Sequence, residues 1–228
     1  MKKLLIHTPA PKECFRGLIY LALELLVLPP LLASVNARLD MPLNDSRLNV
    51  LYFFINLLAV CCLLGGFLKR SFQKTNYNKV IPAAAVGFLL YWGSNLLVTS
   101  LLLGLKPDFG NVNDASIAIL AEKDFYITAL GTVLFVPVAE ELLFRGVLFG
   151  GLYHRSPITA YAVSCTIFSL IHVVGYLTQY PWDTLLLCFL QYIPAGLCLG
   201  WAYARCGSIF APIIMHTAIN AVGVLLMR

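Results

Sequence analysis

The sequence predicts an all-α protein, a polytopic transmembrane helix bundle of about seven spans with its N-terminus in the cytoplasm. Three observations predict it. Of 228 residues, 60% are hydrophobic and 12% are charged, whereas soluble domains carry about 25% charged residues. Seven apolar runs approach the ~20 residues that a membrane helix needs. The segments between them alternate between basic and neutral or acidic, the pattern left when positive loops stay in the cytoplasm.

The first run covers residues 17–35. It starts late and contains Glu24 and Pro29-Pro30, so it reads as a membrane helix and not as a cleaved signal peptide behind Met1-Lys2-Lys3. The prolines should break or kink it near its far end. In the polar stretch 36–47, Arg38 and Arg47 balance Asp40 and Asp45. A second run, 50–68, leads into a loop with Lys69, Arg70, Lys74, Lys79 and no acid. The third run is 80–105. The segment 106–124 is net negative, and Asn113-Asp114-Ala115-Ser116 should cap a short surface helix reaching Glu122. A fourth run, 125–152, ends at a basic turn with His154 and Arg155. The fifth (158–177), sixth (184–204) and seventh (209–227) follow, separated by a loop at 178–183 and a turn at Arg205.

Basic segments (1–16, 69–79, 145–155, Arg205) alternate with the others (36–47, 106–124, 178–183), which places the N-terminus inside; Arg228 at the opposite end is weak counter-evidence. The net charge of +5 belongs to these loops and calls for no nucleic-acid partner. Seven cysteines form no CxxC pair and read as small apolar side chains. Asn44-Asp45-Ser46 matches a glycosylation tripeptide that is common by chance. Tyr180, Trp182 and Trp92 read as interface anchors, His7 and His154 as solvated, and Glu24 and Asn56 as helix-pairing or water-facing residues.

The ionisable residues within the last four runs are few. Glu140, Glu141 and Arg145 lie in the fourth, His172 in the fifth, and His216 with Asn220 in the seventh. A charge at that depth costs about 2.5–3.5 kcal/mol on insertion scales, so each needs a partner or a role. Residues four apart share a helix face. Glu141 therefore pairs with Arg145, His216 aligns with Asn220, and His172 sits one turn from Phe168. Glu140, about 100° further round, is left to face elsewhere. Pro137, Gly146, Gly196, Gly200 and Pro212 around these groups suit a close-packed bundle.

A carboxylate, two imidazoles and an amide in one cavity suit peptide-bond hydrolysis, which needs an activated water and stabilisation of an oxyanion. Glu140 would take the water's proton, His172 would position the water, and His216 with Asn220 would stabilise the oxyanion. Alternatively Glu140, His172 and His216 would hold Zn²⁺, although no HExxH pattern is present. For straight helices the three groups sit at different depths, so tilt or kinks at Pro137 and Pro212 must bring them into a shared cavity, expected in the inner half of the bilayer.

The runs Glu140-Glu141-Leu142-Leu143-Phe144-Arg145, Phe168-Ser169-Leu170-Ile171-His172 and His216-Thr217-Ala218-Ile219-Asn220 resemble the EExxxR, FxxxH and HxxxN motifs of the CPBP intramembrane proteases. That family includes CAAX-prenyl endopeptidases and proteins of bacteriocin processing and self-immunity. The resemblance spans about residues 125–227 and implies a four-span catalytic core at 125–228 behind a three-span region at 1–124. It implies catalytic roles for Glu140, His172, His216 and Asn220, with Glu141, Arg145 and Phe168 supporting. It implies a glutamate-type or metal-dependent endopeptidase acting on a peptide or membrane protein, in contact with the lipid bilayer of a bacterial cell membrane. A catalytically silent immunity or scaffold protein on the same bundle is the alternative. A proton-relay transporter is a third reading, disfavoured by the lack of internal repeats.

Overall fold

A computed structural model describes residues 7–227; the readings on Met1, Lys2, Lys3 and Arg228 lie outside the described residues. These form ten helices and no strand. In order they are α1 (Pro11–Leu26), α2 (Leu28–Asn36), α3 (Asp45–Leu63), α4 (Gly65–Lys74), α5 (Tyr77–Leu105), α6 (Val112–Lys123), α7 (Phe125–Tyr153), α8 (Pro157–Val174), α9 (Trp182–Cys206) and α10 (Phe210–Leu226). The protein is an all-helical, multi-pass membrane protein.

Five helices, α3, α5, α7, α8 and α9, are long and apolar enough to cross a bilayer. The expected first span is two helices bent by 45°, which make a sixth if taken as one. The break falls at Val27, with Pro29 and Pro30 in the first turn of α2, where a missing N–H costs no helix hydrogen bond. The expected seventh span, α10, is apolar but has 17 residues, about 25 Å against a ~30 Å hydrocarbon core. The single run expected at 50–68 is also two helices. α3 stops at Leu64, and Gly65-Gly66, poor residues for a helix interior, open α4.

The polar connections are built by side-chain caps. Asn44 accepts from Arg47 N and so caps α3, while the neighbouring Ser46 is buried against the Leu120 carbonyl. The surface helix α6 forms where expected, but its cap is Asn111, which accepts from the backbone N–H groups of Asn113 and Asp114. His7 is not simply solvated. Its N–H donates to Gly207 O, its carbonyl accepts from Tyr203 Oη, and its ring Nδ1 is buried. The cysteines are free, and Cys165 and Cys188 are buried as expected, whereas Cys62 is exposed.

α7 is the most inward helix: half of its most apolar 18-residue window is buried, against 11% for α5. It packs against α1, α3, α8 and α10, while α9 packs against α5, α8 and α10. Close approach is set by small residues. A Cβ on Gly196 of α9 would lie 2.5 Å from Cys165 Sγ and 3.2 Å from Cys165 Cα on α8. Backbone stands in the way, so Gly196→Ala is expected to cost about 1–3 kcal/mol. A lowered thermal midpoint in detergent checks this; an unchanged midpoint would mean that the α8–α9 contact is looser.

Candidate active site

The motif helix α7 is not uniform. Residues Val136–Glu141 are α-helical, but Leu130–Phe135 before them and Leu142–Phe149 after them are π-helical. Pro137 offers no N–H to the turn before it, and widened turns of this kind leave carbonyls for other donors. Two side chains use them. Asn220 Nδ2 donates to Thr132 O at 2.8 Å, tying α10 to the first π segment. Ser164 Oγ donates to Phe144 O at 3.1 Å, tying α8 to the second.

Between these ties sits a buried charged cluster. Glu141 and Arg145 are both fully buried and pair at 3.0 Å, one helical turn apart, as expected. A second partner was not legible in the sequence: His216 Nδ1 lies 2.8 Å from Glu141 Oε1, so its N–H donates across the helix interface. Arg145 Nη2 also donates to Gly196 O at 3.4 Å, and its Cζ stands 4.2 Å from the centre of the Phe168 ring. Phe168 thus earns its place by a cation–π contact with Arg145 and by packing against both imidazoles, at 4.7 Å from His172 and 6.0 Å from His216.

Glu140 points away from this cluster. It lines a cavity of about 610 Å³ together with His172, His216 and Asn220, so all four expected site residues face one space. Its Oε2 is buried with no hydrogen-bond partner. His172 Nδ1 lies 2.7 Å from Phe168 O. A carbonyl only accepts, so Nδ1 carries the proton and a neutral ring presents a lone pair on Nε2. The ring is clamped by Tyr192, stacked on it at 4.1 Å. The Tyr192 hydroxyl accepts from Asn113 Nδ2 at 2.9 Å and donates to Asp114 Oδ1 at 3.3 Å. α6 therefore braces the site, and burial raises the Asp114 carboxyl above the ordinary aspartate value.

The shared cavity expected from tilt and kinks is present. Its wall includes Asn111, Asn113 and Asp114 of α6 and Leu226 and Met227 at the far end of α10. It lies in the half of the bundle that carries the acidic segment 106–124, not the half that carries the basic turns. Trp92, expected as an interface anchor, lines this cavity, and so do Glu24 and Asn56, expected as helix-pairing or water-facing residues; Asn56 does pair helices, accepting from the Tyr20 hydroxyl of α1. The signal was present, since an ionisable residue inside an apolar run points to a site, but it does not say which way a helix faces.

The zinc alternative fits less well. Among the described residues no three His, Cys, Asp or Glu side chains are grouped to hold a metal ion. Glu140, His172 and His216 share the cavity without forming such a group.

Comparison with known proteins agrees with the motifs. Residues 122–222 match the family of type II CAAX prenyl endopeptidase Rce1-like proteins. UPF0177 protein YxdF of Lactococcus lactis subsp. lactis (strain IL1403) is 24% identical over 159 residues, covering 69% of this chain and 82% of that protein. No solved structure matches the chain. The stretch that holds all three motifs is thus the part of the chain that matches the Rce1-like CAAX prenyl endopeptidase family, the CPBP type, and the match supports an intramembrane-protease-type fold there.

Proposed function

We propose that the protein is an intramembrane endopeptidase of a bacterial cell membrane that hydrolyses a peptide bond with a water activated by Glu140. The observation that carries this reading is the division of labour between adjacent glutamates. Glu141 is held through Oε1 by Arg145 and His216, whereas Glu140 makes no ion pair among the described residues and lines the cavity shared with His172 and Asn220. The Oε2 of each is unpartnered, but only that of Glu140 belongs to a cavity residue. Glu140 accepts a proton from water as the oxygen attacks the scissile carbonyl, and returns it to the departing amine. The lone pair on His172 Nε2 accepts the water's other hydrogen and aligns it. Asn220 spends one amide hydrogen on Thr132 O and has a second for the oxyanion. His216 donates through Nδ1 to Glu141 and, when protonated on Nε2 as well, donates there to the same oxyanion. On the reading that the basic segments and the N-terminus are cytoplasmic, the cavity opens toward the outer face and not in the inner half.

The test compares wild type with Glu140→Ala, His172→Ala and His216→Ala at equal expression. A bacterial membrane-protein fraction serves as substrate, and new peptide termini are read by mass spectrometry. New termini from wild type that vanish in each variant support the enzyme. A cellular phenotype that survives all three substitutions would make the protein a scaffold or immunity partner. Cleavage lost to a chelator and restored by zinc would replace the metal-free mechanism.

A further inference from the structure

Helices outside the three motifs line much of the cavity: α1 and α3, which pack together, and α5, which packs on α9 and α10. α1 contributes Glu24, α3 contributes Tyr52 and Asn56, and α5 contributes Tyr91 and Trp92. Three polar atoms of this lining are buried with no hydrogen-bond partner: Glu24 Oε2, Asn56 Nδ2 and Trp92 Nε1. Asn56 is only 2% exposed, and its Oδ1 is held by the Tyr20 hydroxyl, which fixes the amide and leaves its N–H₂ beside Tyr52 but without a full hydrogen bond. Buried donors are seldom left unpaired, and each costs about 1–3 kcal/mol when they are. This lining is therefore shaped for something that supplies an acceptor to Asn56 and a donor to Glu24.

The charge balance narrows what that is. Glu24, Asp114 and Glu140 line the cavity, and no lysine or arginine does. The cluster next door does not relieve Glu24, because Arg145 is spent on Glu141, Gly196 and Phe168. A helix entering the site must also unwind, and its freed carbonyls then need donors that lipid cannot supply.

We propose that the lining supplied by α1 and α3 is the substrate subsite: it takes an unwound peptide whose lysine or arginine side chain pairs with Glu24 and whose main-chain carbonyl accepts from Asn56 Nδ2. The assignment rests on the proteolytic reading above, and makes the substrate a peptide with a basic residue near the cleaved bond. Glu24 and Asn56 are then specificity and positioning residues, distinct from the groups acting on water.

The test uses wild type, Glu24→Gln, Glu24→Lys and Asn56→Ala in uncharged phosphatidylcholine vesicles. The probe is an apolar peptide library in which one position is lysine, arginine, glutamine or glutamate. Wild type is expected to cleave lysine and arginine peptides at least about tenfold faster than glutamine ones, the ratio for one charge-assisted hydrogen bond. Glu24→Gln should level that ratio, Glu24→Lys should shift it toward glutamate, and Asn56→Ala should slow every peptide while keeping the basic preference. Cleavage without a charge preference, or an equal loss on all peptides in Glu24→Gln, would overturn the assignment and leave the protease intact. A second readout needs no turnover. In a Trp182→Phe/Trp201→Phe background Trp92 is the one tryptophan left, and caesium should quench it more strongly than iodide, with the difference narrowed by Glu24→Gln. Equal quenching by both ions, or no effect of Glu24→Gln, overturns the cation subsite even if no peptide is cleaved.

Discussion

Glu140→Gln is expected to lower peptide-bond hydrolysis by about 10²–10⁴-fold, the span usual for a positioned acid or base, without loss of stability. The second half of this prediction is as diagnostic as the first. Glu140 Oε2 has no partner, so neutralising it strands no donor. Burying a lone carboxylate is costly, and the amide should hold or raise the thermal midpoint. A general base is the reading that combines an inactive protein with an unharmed fold. The measurement pairs cleavage of a membrane-protein fraction with a thermal melt in detergent. A variant that is both inactive and unfolded would return Glu140 to a structural role.

Arg145→Met should do the opposite, acting on the fold before the chemistry. Arg145 and Glu141 are fully buried, and deleting one partner of such a pair leaves an uncompensated charge at a cost of about 3–5 kcal/mol. It would also strip the Phe168 face and the Gly196 carbonyl of a donor. Abundance in the membrane should fall sharply, with any remaining protein melting early. The matched double variant Glu141→Leu/Arg145→Met removes both charges and should recover much of the loss, because apolar replacement of a buried pair is often neutral. Recovery is read from the melt of the single and double variants side by side. A single variant as stable as wild type would mean that the cluster is reached by water.

Much of the fold was legible because it depends on local pattern. The apolar runs, the alternating loop charges and the Glu141–Arg145 spacing each rest on residues near one another in sequence. Pro29-Pro30 announced a break, and the helix 112–123 was visible as a capped segment. The misses share a cause, since they depend on how helices face one another. The depth argument assumed an even 1.5 Å rise, but α7 carries two π-helical stretches and α1 is broken from α2. The bond from His216 to Glu141 and the stacking of Tyr192 on His172 are contacts between helices that no spacing rule encodes. Glu24, Asn56 and Trp92 were each visible as polar atoms in apolar runs, yet only packing shows that they share a cavity with Glu140.

The most direct test of Glu140-driven hydrolysis is isotopic. Purified protein in vesicles would be given a bacterial membrane-protein fraction in H₂¹⁸O, and the new C-termini analysed by mass spectrometry. The mechanism predicts ¹⁸O in each new carboxyl group from wild type, in the presence of a chelator, and none from Glu140→Gln. Labelled termini that persist in Glu140→Gln, or no labelled termini from wild type, would contradict it.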